Sequence, residues 1–86
     1  MAEQKKVERQ SVAKATLIEI LISETTRELG RDANFLGAQI ELRRRNGEPN
    51  WDANCGIAGT VVVAAFGRAL ITAQGLYNLD DTPGLQ

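Results

Sequence analysis

Three adjacent arginines, Arg43–Arg45, precede the chain's only tryptophan, Trp51. Arginine side chains bind phosphate groups, and an exposed indole ring can stack on an unpaired base. One hypothesis is therefore a nucleic-acid contact made by Arg43, Arg44 and Arg45. The competing hypothesis places the arginines at the tip of a β-hairpin, beside acidic residues, with Trp51 on the buried face. The second hypothesis is favoured.

Few other side chains could act in catalysis or bind a metal ion. The chain has no histidine and one cysteine, Cys55, so an internal disulfide is impossible and a zinc site with several ligands is not expected. A cysteine nucleophile needs a neighbouring base, and Cys55 is predicted to be a buried apolar residue instead. Glu41 and Asp52 are predicted to lie opposite each other in a hairpin, where they could share a proton or a divalent cation, but Arg43 is available to neutralise them. We predict no catalytic residue, metal ion or cofactor.

The overall charge is close to balanced. Ten basic and 11 acidic residues give a net charge of −1, which offers no general attraction to nucleic acid or anionic membranes. A single thiol is typical of a reducing compartment. The charged N-terminal segment is not followed by the apolar run of a secretory signal peptide, so we predict a cytoplasmic protein. Segment 56–76 is apolar enough to be considered as a membrane span, but its central Arg68 costs about 2.5–3.5 kcal/mol on insertion scales. A buried or dimer-facing helix is favoured, with no membrane contact.

Two segments carry apolar residues at helical spacing. The first predicts a helix over 11–29, with Ser11 as its N-cap and Gly30 as its end. The second predicts a helix over about 57–78, although its consecutive valines could instead open a strand. The polar residues 1–10 and the tail 80–86 are predicted to be flexible, which leaves 11–79 as a single domain.

Between the two helices, the sequence predicts a β-hairpin. Residues 38–45 alternate between apolar and polar side chains, and Asn46-Gly47 is the strongest short signal for a two-residue turn. Such a turn places Arg45 opposite Glu48. It also places six residues on one face: Ala38, Ile40, Leu42, Trp51, Ala53 and Cys55.

The resulting fold class is α+β. We predict a two-layer α-β-β-α domain, with two helices packed on one face of a small antiparallel hairpin sheet. Because a two-stranded sheet is marginally stable, we expect it to be extended by a third strand from 31–37 or 60–64, or by a second subunit. A chain of 86 residues also buries little surface by itself, so we expect a homodimer.

Small residues recur along the second helix. Two of them, Gly67 and Gly75, would each cost about 1 kcal/mol relative to alanine inside a helix, which suggests close packing at this surface. The alternative is that the small residues pack against the protein's own hairpin. The predicted protein interface consists of Gly56, Thr60, Ala64 and Gly67.

Two short motifs are similar to those of small uncharacterised bacterial proteins. The first is Pro49-Asn50-Trp51-Asp52, and the second comprises Ala73, Gln74, Tyr77, Leu79 and Asp80. The resemblance covers roughly the second half of the chain. It implies the α-β-β-α order and carries no known activity.

These observations predict a small non-enzymatic module that binds an unknown protein partner and forms a homodimer. The alternative is a nucleic-acid-binding protein that uses the hairpin arginines.

Overall fold

The computed structural model describes residues 9–56 and 59–80. Its helices and strands follow one another as β1 (Gln10–Val12), α1 (Lys14–Leu29), a single 3-10 turn (Asn34–Leu36), β2 (Glu41–Arg44), β3 (Trp51–Asn54), α2 (Thr60–Leu76) and β4 (Tyr77–Leu79). The predicted flexible ends lie largely outside the described residues, although Arg9 and Gln10 belong to the folded part.

Helix α1 confirms the first predicted helix but begins later. Ser11 is not its N-cap, because Ser11 lies in β1 and the helix starts after Ala13, which has no side-chain cap. At the other end Gly30 adopts the left-handed conformation with φ of 83°, and its N–H donates to the Thr26 carbonyl at 2.9 Å. This is the glycine C-cap that the sequence predicts.

The hairpin is confirmed, but its predicted register is wrong. Leu42 lies opposite Ala53 and Arg44 opposite Trp51, which is a shift of two residues. The chain reverses over 46–49 instead of Asn46-Gly47 alone, because only Gly47 has a positive φ and a type I′ turn requires two such residues. The Glu48–Pro49 peptide bond in this loop is cis.

A shift of two residues leaves each side chain on its predicted face, since side chains alternate with a period of two. Ile40, Trp51 and Cys55 are buried, and Leu42 and Ala53 are half-buried. Ala38 is the exception, because it is exposed in a turn before β2 begins.

Neither predicted third strand forms. Segment 31–37 contains the 3-10 turn, and 60–64 is the first part of α2. Within 9–56 and 59–80, a second two-stranded sheet forms instead, in which β1 pairs in parallel with β4. Helix α2 therefore ends at Leu76, because Tyr77–Leu79 joins this sheet.

The two helices pack mainly against each other. The buried residues of α1 are Leu17, Leu21 and Thr25, and those of α2 are Val62, Ala65, Phe66, Ala69 and Ala73. The Thr25 hydroxyl donates to the Leu21 carbonyl at 2.6 Å, so its polar group is satisfied inside the core. The predicted α+β class is confirmed: two helices pack on each other and on small antiparallel and parallel strand pairs.

Because several alanines of α2 are buried, a larger side chain at one of these positions should lower the free energy of unfolding. Ala69 is 1% exposed, and we expect Ala69→Leu to lower the free energy of unfolding by about 1–3 kcal/mol, since added methylenes have no space between packed elements. Ala15→Leu is the control, because Ala15 is exposed on α1. Urea denaturation followed by circular dichroism measures both variants. Equal midpoints would contradict close packing at Ala69.

Residues Thr60–Leu76 of the apolar segment 56–76 form α2. No helix in the described part of the chain combines the length and apolar character needed to cross a bilayer.

Candidate functional site

The arginine run lies on β2 and the loop that follows it. All three arginines are exposed. Arg43 lies opposite Asp52 across the hairpin, and the Arg45 N–H donates to the Asn50 carbonyl at 3.0 Å. The predicted pairing of Arg45 with Glu48 is wrong.

Glu48 instead contacts the start of the folded chain. The Arg9 Nη1 atom lies 3.1 Å from Glu48 Oε1. The Arg9 side chain is about one-fifth exposed and that of Glu48 two-thirds exposed, so this ion pair contributes modestly to stability.

The nucleic-acid hypothesis requires the indole ring of Trp51 to be exposed to solvent. Its side chain is 0% exposed, and its Nε1–H donates to the Tyr77 carbonyl at 2.9 Å. A buried indole cannot stack on a base, so the arginines lack the aromatic platform on which that hypothesis depends.

The two acidic residues of the hairpin do not face each other. Glu41 lies opposite Asn54, and Asp52 lies opposite Arg43, because the register differs by two residues from the predicted one. The Asp52 carboxylate accepts the Ala53 N–H at 2.9 Å. Glu41 and Asp52 are therefore diagonal neighbours across the hairpin rather than the directly opposed pair that the predicted register implied.

Cys55 is buried in the core, at 4% exposure, as predicted. Among residues 9–56 and 59–80, no group of three histidine, cysteine, aspartate or glutamate side chains is arranged to hold a metal ion.

A surface hollow beside α1 has a partly polar lining, and two of its polar side chains already have structural partners. It is bordered by Glu19, Ile22, Ser23, Thr26, Asp32 and Asn34. The Thr26 hydroxyl accepts the Ala33 N–H, and the Asp32 carboxylate accepts the Asn34 N–H, both at 3.0 Å. These groups hold the turn after α1 in place.

The structure brings the hairpin and the end of α2 together through hydrogen bonds between residues that are distant in the sequence. The Asn50 side chain pairs with the backbone of Leu79: Asn50 Nδ2 donates to the Leu79 carbonyl at 3.0 Å, and Asn50 Oδ1 accepts the Leu79 N–H at 2.7 Å. The Asn50 N–H donates to Asn78 Oδ1 at 3.3 Å. An amide side chain thus pairs with β4 as a neighbouring strand would.

Two further contacts complete this polar junction, which we define as Asn50, Trp51, Gln74, Tyr77 and Leu79. Gln74 Nε2 donates to the Trp51 carbonyl at 2.8 Å, and Arg9 Nε donates to the Gln74 carbonyl at 2.6 Å. All five residues belong to the two motifs noted in the sequence. The amide and aromatic residues of these two motifs were the feature of the sequence that could have indicated the junction. In the structure they join the hairpin to the end of α2.

The predicted protein interface lies mostly on the outward side of α2. Thr60 and Ala64 are exposed, and Gly67 is half-buried with nothing within 4 Å of the position its Cβ would occupy. Gly56 is not on this helix, because it precedes α2 and adopts a φ of 69° beside Gln39.

These residues belong to a larger apolar surface, which we call the outer strip. Its large side chains are Val63, 46% exposed, and Ile71, 72% exposed. At 100° per residue its members fall within one third of the helix circumference, opposite the buried face. The outer strip consists of Thr60, Val63, Ala64, Gly67, Ile71 and Gly75. Gln74 falls in the same third of the circumference, but its side chain is turned to the Trp51 carbonyl.

Helix α2 contains one charged residue, Arg68, and that residue is turned toward α1. Arg68 Nε lies 2.7 Å from Glu28 Oε1. The outer strip itself therefore carries no charge along the whole length of the helix.

No protein-family model matches this chain. Comparison with curated proteins gives no match, and comparison with solved structures gives none either.

Proposed function

We propose that this protein is a small, non-enzymatic interaction module that binds protein through the outer strip of α2 and acts as a homodimer in the bacterial cytoplasm. The observation that carries the proposal is the exposure of apolar side chains along a helix whose opposite face is already buried.

A helix that is apolar on all sides is normally buried on all sides. In α2 the inner face packs within the domain, whereas Val63 and Ile71 of the outer strip are 46% and 72% exposed. Isolated surface leucines or valines need no explanation, but apolar side chains grouped on one exposed face of a small protein support an interaction site.

The arrangement of polar groups supports a binding role over catalysis. The buried or half-buried polar side chains described above, in the polar junction and at Thr25 and Thr26, are bonded to backbone atoms of the fold. Catalysis requires polar groups that converge on a substrate, whereas these groups converge on the chain itself.

Nucleic-acid binding by Arg43–Arg45 has weaker support. Arg43 faces Asp52, and Trp51 is enclosed in the core. The net charge of −1 lacks the basic bias that nucleic-acid-binding domains show.

The test of the proposed function is a charge placed on the outer strip. We expect Ile71→Glu to reduce the amount of protein captured by this domain from an extract of its native host by at least about tenfold, which corresponds to about 1.4 kcal/mol. A carboxylate would have to be desolvated in an apolar contact. Quantitative mass spectrometry of captured proteins, including a tagged second copy of this chain, measures the effect.

The matched control is Thr72→Glu, which adds the same charge to the same helix at an exposed position outside the strip. Capture by this variant should equal that of the unmodified protein. Circular dichroism shows whether both variants are folded. Equal capture by the Ile71→Glu and Thr72→Glu variants would refute the proposed function.

A further inference from the structure

Strand β2 has a far edge, which is the edge turned away from β3. In the described part of the chain β3 is the only strand that pairs with β2. The Arg45 N–H donates to the Asn50 carbonyl, and bonded and non-bonded pairs alternate along an antiparallel ladder. Arg43 and Glu41 therefore bond to β3, whereas the N–H and C=O of Leu42 point outward at the far edge.

The outward groups of β3 are used by the chain itself, but those of Leu42 are not. Gln74 Nε2 donates to the Trp51 carbonyl, and the Asp52 carboxylate accepts the Ala53 N–H. Leu42 makes no such bond to any residue that the structure describes. The far edge borders a second surface hollow, of about 420 Å³, whose lining consists of Lys14, Ile40, Glu41, Leu42 and Arg43. An edge of this kind can accept a further strand.

We propose that the far edge of β2 pairs with the far edge of β2 in a second copy, antiparallel, with a two-fold axis beside Leu42. The two hairpins then form one continuous sheet. Leu42 lies opposite its own counterpart, and Glu41 of each copy lies opposite Arg43 of the other. This inference rests on the homodimer of the proposed function and names its surface, and it leaves the outer strip of α2 to the partner protein.

The charges of β2 select this register. Only residues whose backbone groups point outward can bond across the new contact, so the register can change only in steps of two residues. A step in one direction places Arg43 opposite Arg43, and a step in the other places Glu41 opposite Glu41. Like charges directly opposite each other are destabilising. With Leu42 at the axis, both charged pairs join unlike charges.

The side chains also match across the whole sheet. On the exposed face Asp52 lies opposite Arg43, and Arg43 would lie opposite Glu41 of the second copy, so the charges alternate along the row. On the other face Ala53 lies opposite Leu42, and the two copies would form one apolar row. Leu42 and Ala53 are half-buried in the single copy, so the pairing would cover more of the Leu42 side chain.

A second copy fits this edge better than an unrelated strand. Charged side chains on an edge normally discourage pairing, so a strand bound here must bring an acid opposite Arg43 and a base opposite Glu41. Neither of these residues makes an ion pair with another described residue. The same two-residue spacing of opposite charges in a second β2 supplies both partners, as a two-fold contact between identical surfaces requires.

The contact is short, so the dimer should be reversible. The Ile40 N–H already donates to the Leu36 carbonyl, and the new backbone bonds therefore centre on Leu42. A contact between two four-residue strands is smaller than the roughly 800 Å² per partner of a standard interface.

Reversal of single charges tests the pairing. In the Glu41→Arg variant or the Arg43→Glu variant alone, both charged pairs of the dimer would join like charges, and self-association should weaken by at least about tenfold. An equal mixture of the two variants joins unlike charges again and should associate as strongly as the unmodified protein. Arg31→Glu is the matched control, because Arg31 is exposed in the segment after α1, and it should leave self-association unchanged.

Sedimentation equilibrium at concentrations up to about 500 µM measures self-association, since so small an interface is expected to dissociate below that concentration. Circular dichroism shows whether each variant is folded. The backbone contact has its own measurement: in the unmodified protein the Leu42 amide proton should exchange more slowly at high concentration than in dilute solution.

Undiminished association of both single variants would overturn the proposal and leave the homodimer of the proposed function on another surface. Failure of the folded mixture to recover association would overturn the Glu41–Arg43 pairing. A monomer mass for the unmodified protein would exclude the second copy altogether. Each of these results differs from failure of binding through the outer strip, because capture of host proteins that depends on Ile71 would still be observed.

Discussion

Replacing Trp51 with alanine should remove most of the stability of the domain. Trp51 is among the largest fully buried side chains, and truncation of a buried tryptophan costs about 3–5 kcal/mol. The Tyr77 carbonyl would also lose its indole donor, at a further cost of about 1 kcal/mol. A domain of this length has a total stability of roughly 4–13 kcal/mol, so the loss is a large fraction of the total and unfolds the variant if the total lies at the lower end of this range.

Far-UV circular dichroism during guanidinium denaturation measures this loss, at one fixed protein concentration because dimerisation would change the midpoint. Trp51→Phe is the matched control: it keeps an aromatic ring in the core and removes the N–H, and should cost about 1–2 kcal/mol. Unchanged midpoints for both variants would show that the ring does not lie in the core.

The second large effect is expected at Asn50. Asn50→Asp replaces the side-chain NH2 group by an oxygen. The Nδ2 donor to the Leu79 carbonyl becomes a carboxylate oxygen. We expect a loss of about 2–4 kcal/mol in the free energy of unfolding, because a hydrogen bond is lost and two oxygen acceptors are brought into contact in a half-buried site.

Asn54→Asp is the control for this change. Asn54 lies in the same hairpin, is exposed, and uses its side-chain oxygen to accept the Gly56 N–H at 3.1 Å. An aspartate keeps that acceptor, so its free energy of unfolding should change by less than about 0.5 kcal/mol. Urea denaturation measures both variants, and losses of equal size would argue against a special role for the Asn50–Leu79 pairing.

Both predictions concern the polar junction, which explains why the hairpin register differs from the one predicted by its turn. A two-residue turn at Asn46-Gly47 satisfies the local sequence. The observed four-residue loop allows Asn50 to pair with Leu79 and Trp51 to donate to Tyr77. Contacts between distant segments thus favoured a register that local turn preference alone would not select.

The sequence by itself determined the features that depend on near neighbours. The 3.6-residue recurrence of apolar residues predicted α1, and Gly30 predicted where it ends. The period-two alternation predicted the hairpin and its buried face, and this prediction survived the register error because a shift of two residues preserves each face. Three residues of the predicted interface, Thr60, Ala64 and Gly67, lie on one side of α2, and their role in binding stays a prediction.

Only the tertiary structure decided the features that depend on distant partners. Gln10–Val12 and Tyr77–Leu79 are too short to show a strand pattern, and each becomes a strand only by pairing with the other end of the domain. That pairing moved Ser11 out of the helix cap and ended α2 at Leu76. Three-residue strands take their positions from the contacts that bury them, and those contacts exist only in the folded chain.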